Sequence, residues 1–314
     1  MKTLKKKNNL YVIAGLVAGC SCMIMVAFPA VSLQSAEKGV SLWANSVLPA
    51  LLPFFICANF MSKIGVPRMI GKIFEKSFQK LFGAPGESAF VFLISITSGY
   101  PMGAKLIGDL GRSGQITENE AKRMLTFCST SGPLFILGTV GVSLLNSAAA
   151  GSVIACAHYA GAILNGILYR CISSNTPETL GYTFQGKGKP AVQVPDGLSL
   201  HHQNILELFT DSIVSSLKAL GIICGYIVLF TMITDFIFTA KGCLFVNSPI
   251  NSAFLKGIFE MTVGCNAMSQ IENMSLLFKS AGCAFIISFG GFSILAQSMS
   301  MMSGLKISIW YYMK

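Results

Sequence analysis

The sequence predicts an all-α, polytopic membrane helical bundle made of two inverted-topology repeats that contain broken helices and re-entrant hairpins. Three observations predict it. Only 11% of the 314 residues are charged while 53% are hydrophobic, at a mean hydropathy of +0.63; soluble domains carry about a quarter charged residues. Several apolar runs approach the roughly 20 residues needed to cross a bilayer. These runs are interrupted by glycine and proline at "SGYPMG" (98–103), at "CSTSGP" (128–133) and at Gly290–Gly291.

Taken in order, Lys2, Lys5, Lys6 and Lys7 precede a first span predicted at Leu10–Leu33. "LVAGC", ending at Cys20, resembles a lipoprotein cleavage box, but apolar character continues through "SCMIMVAFPAV", longer than a signal region. An uncleaved span is therefore expected. A second span is predicted at Leu42–Ser62, followed by Lys63, Arg68, Lys72, Lys76 and Lys80. Basic residues mark the inner side, which puts the N-terminus inside and the link with Glu37 and Lys38 outside. Residues 64–82 alternate apolar and basic positions at helical spacing, as in an amphipathic helix on the inner membrane surface.

Ala89–Thr97 is too short to span and runs into Ser98–Gly103, which reads as the turn of a re-entrant hairpin. Thr117 with Glu120 three residues later has the spacing of a capping box. The helix it opens is interrupted at 128–133 and then completed by "LFILGTVGVSLL". Ala148–Tyr169 is a further span, and 170–203 is a polar linker on the inner side. An amphipathic lead-in at Ile205–Leu217 precedes a span at Ala219–Ala240. Ser252–Met268 is mixed, and the uncharged stretch 281–302 breaks at Gly290–Gly291.

"KIFEKSF" before "AFVFLISITSGYPMGAK" is echoed by "GIFEMTV" before "AFIISFGGFSILAQ". The span before each block runs in opposite senses by the charge argument, which is the trace of an inverted-repeat transporter. The chain therefore divides into a first span (1–36), repeat one (37–170), a linker (171–204) and repeat two (205–314).

Breaks at membrane depth persist only where protein or water satisfies their backbone groups. Pro101 and Pro133 are each predicted at the first helical position, where the missing N–H wastes no donor. Each break then starts a half-helix whose N–H groups and positive dipole end attract anions, carboxylates above all. Ser98, Gly99, Tyr100, Pro101 and Lys105 from the first break, with Ser129, Thr130, Ser131, Gly132 and Pro133 from the second, are the candidate residues of an anion pocket. Glu260, Gly290, Gly291 and Gln297 are the candidates of the second half. Lys105 could equally pair with Asp109 one turn on. His158 and Tyr159 are either packing hydrogen bonders or a proton relay, and Glu260 either meets a coupling cation or sits at the outer interface.

Several classes are excluded. The net charge of +10 is spread along span flanks, without a basic patch interleaved with aromatics, so no nucleic-acid partner is expected. The ten cysteines form no paired C-x-x-C set, and "HHQ" at 201–203 lacks a third ligand, so no metal is expected. There is no P-loop, G-x-S-x-G or H-E-x-x-H, so the chain is expected to be neither an enzyme nor an ATPase, with no cofactor beyond coupling to Na+ or H+.

"SLWANSVLPALLPFFI", "SGYPMGAKLIGDL", "AKRMLTFCSTSGPLFILGTVGV", "AHYAGAILNG" and "GIFEMTVGC" together resemble the sporulation integral membrane protein family YlbJ, within the wider group with nucleoside-recognition or gate domains. The resemblance implies gate-like repeats and a transporter in the cell membrane of an endospore-forming bacterium, around the developing spore. It implies dipicolinic acid as the small anionic substrate, with a nucleoside carrier or a non-transporting spore-assembly scaffold as alternatives. Lipid and other sporulation membrane proteins, or further copies of the chain, are the expected partners. Members of the family usually continue with a further helix where this sequence reads "GLKISIWYYMK".

Overall fold

The computed structural model describes residues 2–173, 204–239 and 248–312, and these are all-helical, with no strand among them. The helices are α1 (Lys2–Ala27), α2 (Pro29–Leu42), α3 (Leu48–Lys63), α4 (Val66–Phe82), α5 (Ser88–Ser98), α6 (Met102–Arg112), α7 (Glu118–Leu125), α8 (Ala148–Ser173), α9 (Ile205–Thr239), α10 (Pro249–Phe259), α11 (Met261–Ser269), α12 (Leu276–Phe289), α13 (Gly291–Met301) and α14 (Ile309–Tyr312). Two stretches are π-helical, Trp43–Val47 between α2 and α3, and Leu134–Leu144 between α7 and α8.

Four stretches among the described residues are long and apolar enough to cross a membrane: Pro29–Lys63, Ala148–Ile172, Ile205–Phe238 and Leu276–Met301. Their outward side chains, such as Val153, Leu164, Leu168 and Leu277, are exposed and apolar, as a lipid-facing surface requires.

The N-terminal boundaries differ from those expected. A span over Leu10–Leu33 is interrupted because α1 ends at Ala27 and α2 starts at Pro29, whose missing N–H suits it to the first position of a helix. The expected loop at Glu37 and Lys38 is instead helical, inside a 35-residue rod from Pro29 to Lys63. Lys38 pairs there with Asp235 at 3.3 Å. At the other end of the rod Lys63 meets Asp211 at 3.7 Å, so α9 runs antiparallel along α2 and α3. This helix pair is the frame of the molecule. Gly39 lets it close up, since a Cβ there would stand 2.9 Å from the Val228 Cα.

Other boundaries fall where the sequence puts them. The amphipathic helix is α4, bounded by Gly65 and Gly83 in left-handed conformations. Thr117 caps α7, with its backbone N–H donating to Glu120 at 2.7 Å and its hydroxyl accepting from the Glu120 N–H at 3.2 Å. The lead-in and span of the second half are one helix, α9. The linker from 174 to 203, with its histidines, lies outside the described residues.

The internal echo is not matched element by element. α5 and α6 fold back on each other, whereas α12 and α13 together make one broken 26-residue rod, Leu276–Met301. The helix pair that folds back in the second half is α10–α11, turning at Glu260. The gapped sequence match followed apolar residues and glycines, which both shapes share.

Candidate functional site

The two breaks of the first half are built into one another. The α5–α6 turn passes through Gly99, at φ +83°, and a cis Tyr100–Pro101 bond. A Cβ on Gly99 would fall 2.3 Å from the Gly132 nitrogen, and one on Gly103 would collide with the Cys128 carbonyl. Only bare backbone fits here. Ser95 fastens the contact, its hydroxyl donating to the Cys128 carbonyl at 2.5 Å and lying 2.9 Å from the Thr130 hydroxyl. From α8, His158 Nε2 accepts the Ser131 N–H at 2.9 Å, and the Tyr159 hydroxyl donates to the Ser131 carbonyl at 3.1 Å. With Nε2 accepting, the imidazole proton sits on Nδ1, 3.0 Å from the Ser288 hydroxyl at the end of α12. His158 thus ties one broken helix to the other.

The second half repeats the device with different residues. Gly257 on α10 and Gly264 on α11 bring the hairpin's backbones together, for a Cβ on Gly264 would overlap the Gly257 Cα. At the rod's break, Gly291 (φ +78°) packs on the last carbonyls of α10. Glu260, at the turn, caps α11 by accepting the Val263 N–H at 2.8 Å.

Between these two devices and the frame lies a cleft of about 870 Å³, counted with the open space at its mouth. Its walls bring together Ser98, Gly99 and Tyr100 from the α5–α6 turn, Ser131 and Gly132 from the second break, and Glu260 and Gln297 from the second half. Seven candidate residues, drawn from four separate stretches of sequence, therefore share one wall. The cleft is lined by the turn that precedes α6, by the starts of α11 and of the π-helix Leu134–Leu144, and by Ile294 in the first turn of α13. Among the described residues no lysine or arginine lines it, and Glu260 supplies its one carboxylate.

The remaining candidates lie elsewhere. Ser129, Gly290 and Gly291 line a neighbouring cavity of about 1190 Å³ with His158, Asn165 and Tyr312, and Tyr100 stands in the wall of both. Thr130 is fully buried against Ser95. Pro133 is the N-cap of the π-helix and Pro101 the N-cap of α6, so each stands one residue ahead of the first helical position expected of it.

Lys105 does not reach the cleft. Its ammonium donates to the Asn59 carbonyl oxygen at 2.6 Å and to Asp109 at 2.8 Å, in a setting where Lys105 is 5% exposed. Asp109 also holds Arg112 at 2.7 Å, and Arg112 donates to the Met301 and Ser303 carbonyls at the end of α13. The lysine's charge is thus matched within α6. Asn59 in turn donates to Ser216 on α9 at 2.7 Å, joining the hairpin to the frame.

Sequence reasoning missed Asn59, Ser95, Thr97, Thr139 and Thr262. The polar residues inside "FFICANF" and "LISIT" were the available signal, and single hydroxyls in apolar runs are too common to stand out. Among the described residues no cluster of three or more histidine, cysteine or acidic side chains could hold a metal ion.

The gate family described as "Nucleoside recognition" matches residues 44–148, a stretch that includes both breaks of the first half. The sporulation integral membrane protein YlbJ of Bacillus subtilis (strain 168) is 32% identical over 299 residues, covering 89% of this chain and 72% of the relative. This chain belongs to the YlbJ family. It is an integral membrane protein of a sporulation family that carries a gate domain. No solved structure matches it.

Proposed function

We propose that the protein is a membrane carrier for a small carboxylate, dipicolinate in the first instance, which it binds in the 870 Å³ cleft. One observation carries this reading: the interruptions of helices from both halves meet around a single cleft. Free N–H groups and helix dipoles there favour a negatively charged guest. In this reading the halves 37–170 and 205–314 are inverted-topology repeats, and the re-entrant pairs are α5–α6 and α10–α11. Alternating access then follows from one repeat rocking against the other around the fixed cleft. The relative's sporulation name favours the membranes around the developing spore, with the N-terminus cytoplasmic. Cations could couple the cycle, and copies of the chain or other sporulation proteins could assemble with it.

A second reading, a nucleoside carrier, is favoured by a cleft that no lysine or arginine lines among the described residues and by the name of the matched gate family. Uptake by purified protein in vesicles decides between them. A dipicolinate carrier accumulates labelled dipicolinate, is insensitive to excess uridine and loses flux in Ser131→Ala at normal abundance. Competition by uridine selects the nucleoside reading. Unchanged biological function in Ser131→Ala, with no flux of either solute, selects a scaffold.

A further inference from the structure

We propose that the second cavity, of about 1190 Å³ counted with the open space at its mouth, is a second binding site on the solute's route, walled off from the cleft by Tyr100 and Ile294 and shaped for a flat ring with polar edges. The proposal rests on the carrier reading above and adds the site that follows the cleft.

The two cavities share one thin wall. Tyr100, from the α5–α6 turn, and Ile294, from the first turn of α13, line both of them. Each half therefore contributes one side chain to the wall. Tyr100 lies against the break of the second half, since a Cβ on Gly290 would stand 3.9 Å from the tyrosine Cζ. Its ring also meets the His158 ring, 6.4 Å away between centroids, and no hydrogen bond among the described residues ties down its hydroxyl.

The cavities lie on opposite sides of the breaks. The π-helix Leu134–Leu144 runs antiparallel to α8, for Ser131 meets His158, while a Cβ on Gly141 would stand 2.7 Å from the Gly151 Cα. Phe135 and Thr139, which line the cleft, lie from Ser131 toward the Gly141–Gly151 contact. Gly161, Ala162 and Asn165, which line the second cavity, lie past His158 in the other direction. Asn165 is seven residues past His158 and thus about 10 Å along the helix. It donates to the Thr126 carbonyl at 2.7 Å, beside the α7 end that carries Lys122 and Arg123, and Arg170 follows on α8. Basic residues gather on the inner side of a membrane protein. The second cavity therefore follows the cleft on the way inward.

The lining fits a flat solute that must leave again. The rings of Tyr100, His158, Phe289, Phe292 and Tyr312 stand in its wall. Its polar groups come from both halves. The Tyr312 hydroxyl donates to Ser298 at 3.0 Å and lies 3.1 Å from the Ser129 hydroxyl, while His158 Nδ1 lies 3.0 Å from the Ser288 hydroxyl. Among the described residues no lysine, arginine, aspartate or glutamate lines the cavity. Rings pack on a flat solute, and hydroxyls meet its polar edge without the grip of a full charge. A site on a route has to bind weakly enough to release. Dipicolinate and a nucleoside both present such a ring, so the chemistry is common to the two solutes.

Gly161 supplies the test. A Cβ there meets nothing within 4 Å, so a larger side chain has room to fill the cavity. Purified full-length protein is measured by equilibrium dialysis in detergent and by uptake in vesicles, with labelled dipicolinate and labelled uridine in separate arms. Wild type should bind two equivalents of the solute that it carries. Gly161→Phe should bind one, with an affinity within about twofold of the tighter wild-type site, and at normal abundance should take solute up at least about tenfold more slowly. Gly161→Ala, which adds no plug, should keep uptake within about twofold of wild type. Ala162→Phe fills the cavity from the next position and should repeat the Gly161→Phe result. A single equivalent bound by wild type, wild-type uptake in either plugged protein, or a loss in Gly161→Ala as large as in Gly161→Phe overturns the proposal and leaves the carrier reading standing. Loss of both equivalents in both plugged proteins also overturns it, since cleft and cavity would then be one site. Wild-type vesicles that move neither dipicolinate nor uridine overturn both readings.

Discussion

The two halves build a similar device from different materials. In the first, the α5–α6 turn and the break before the π-helix meet backbone to backbone, stitched by hydroxyls and an imidazole. In the second, the α10–α11 turn meets the Gly290–Gly291 break through glycine alone, and one buried acid caps the turn. The difference is one of rigidity. The first half fixes its break through directed bonds from α5 and α8, whereas the second leaves its turn to Glu260. The half that holds its geometry hard is suited to be the fixed wall of the cleft, and the other is suited to respond to what enters.

The largest expected effect separates the two breaks. Gly99→Ala sets a Cβ 2.3 Å from the Gly132 backbone nitrogen and forces a left-handed φ of +83° on a residue with a side chain. Backbone on both sides leaves nothing to yield, so a loss of at least about 3 kcal/mol and little folded protein are expected. Gly290→Ala has the same kind of φ, +77°, but its Cβ meets only side-chain atoms at 3.5 Å and beyond. Its cost should be about 1–2 kcal/mol, read as the thermal midpoint of the detergent-solubilised protein. Equal losses in the two variants would mean that the breaks are built alike.

Next comes the charge in each hairpin. Asp109→Ala leaves the buried Lys105 ammonium with Asn59 alone and should cost about 1–2 kcal/mol, less than breaking a fully buried pair because the Asp109 side chain is 36% exposed. Lys256 on α10 has, among the described residues, a ring contact and no ion pair, so Lys256→Met should cost about 0.5–1 kcal/mol. Lys105→Met removes the charge along with its need for a partner and should leave solute affinity unchanged. A large rise in KM for Lys105→Met would return Lys105 to the cleft.

His158→Leu leaves the Ser131 N–H buried without an acceptor, at an expected cost of about 1–3 kcal/mol in thermal unfolding.

Much of this was legible in the sequence, and the pattern of what was missed is physical. Proline and glycine inside apolar runs announce broken helices because no membrane helix keeps them without a reason, so the breaks at 98–103, 128–133 and 290–291 could be placed directly. Thr117 and Glu120 could be placed because a capping box is local. The α10–α11 turn at Glu260 was not found, for it contains neither proline nor a glycine pair, and an acid in a mixed stretch reads equally as an interface residue. Lys105 shows the same limit. Asp109 one turn on is visible in the sequence, whereas Asn59 and the direction of the ammonium depend on how α3 packs against α6.

The smallest effect expected compares two helix caps, and it tests whether the contrast between the halves reaches their periphery. Thr117 and Glu120 satisfy each other's N–H groups at 3.2 and 2.7 Å, whereas Ser275 accepts from the Phe278 N–H at 3.5 Å with no return bond. An N-cap lost to alanine costs about 1 kcal/mol when the bond is well made. Thr117→Ala should therefore lower the thermal midpoint measurably, while Ser275→Ala, losing a bond at the limit of useful length, should shift it by a few tenths of a kcal/mol at most. A larger loss at Ser275 would mean that the second half is fastened at its helix ends and not at its turn. The contrast between a fixed wall and a responsive one would then have to be reversed.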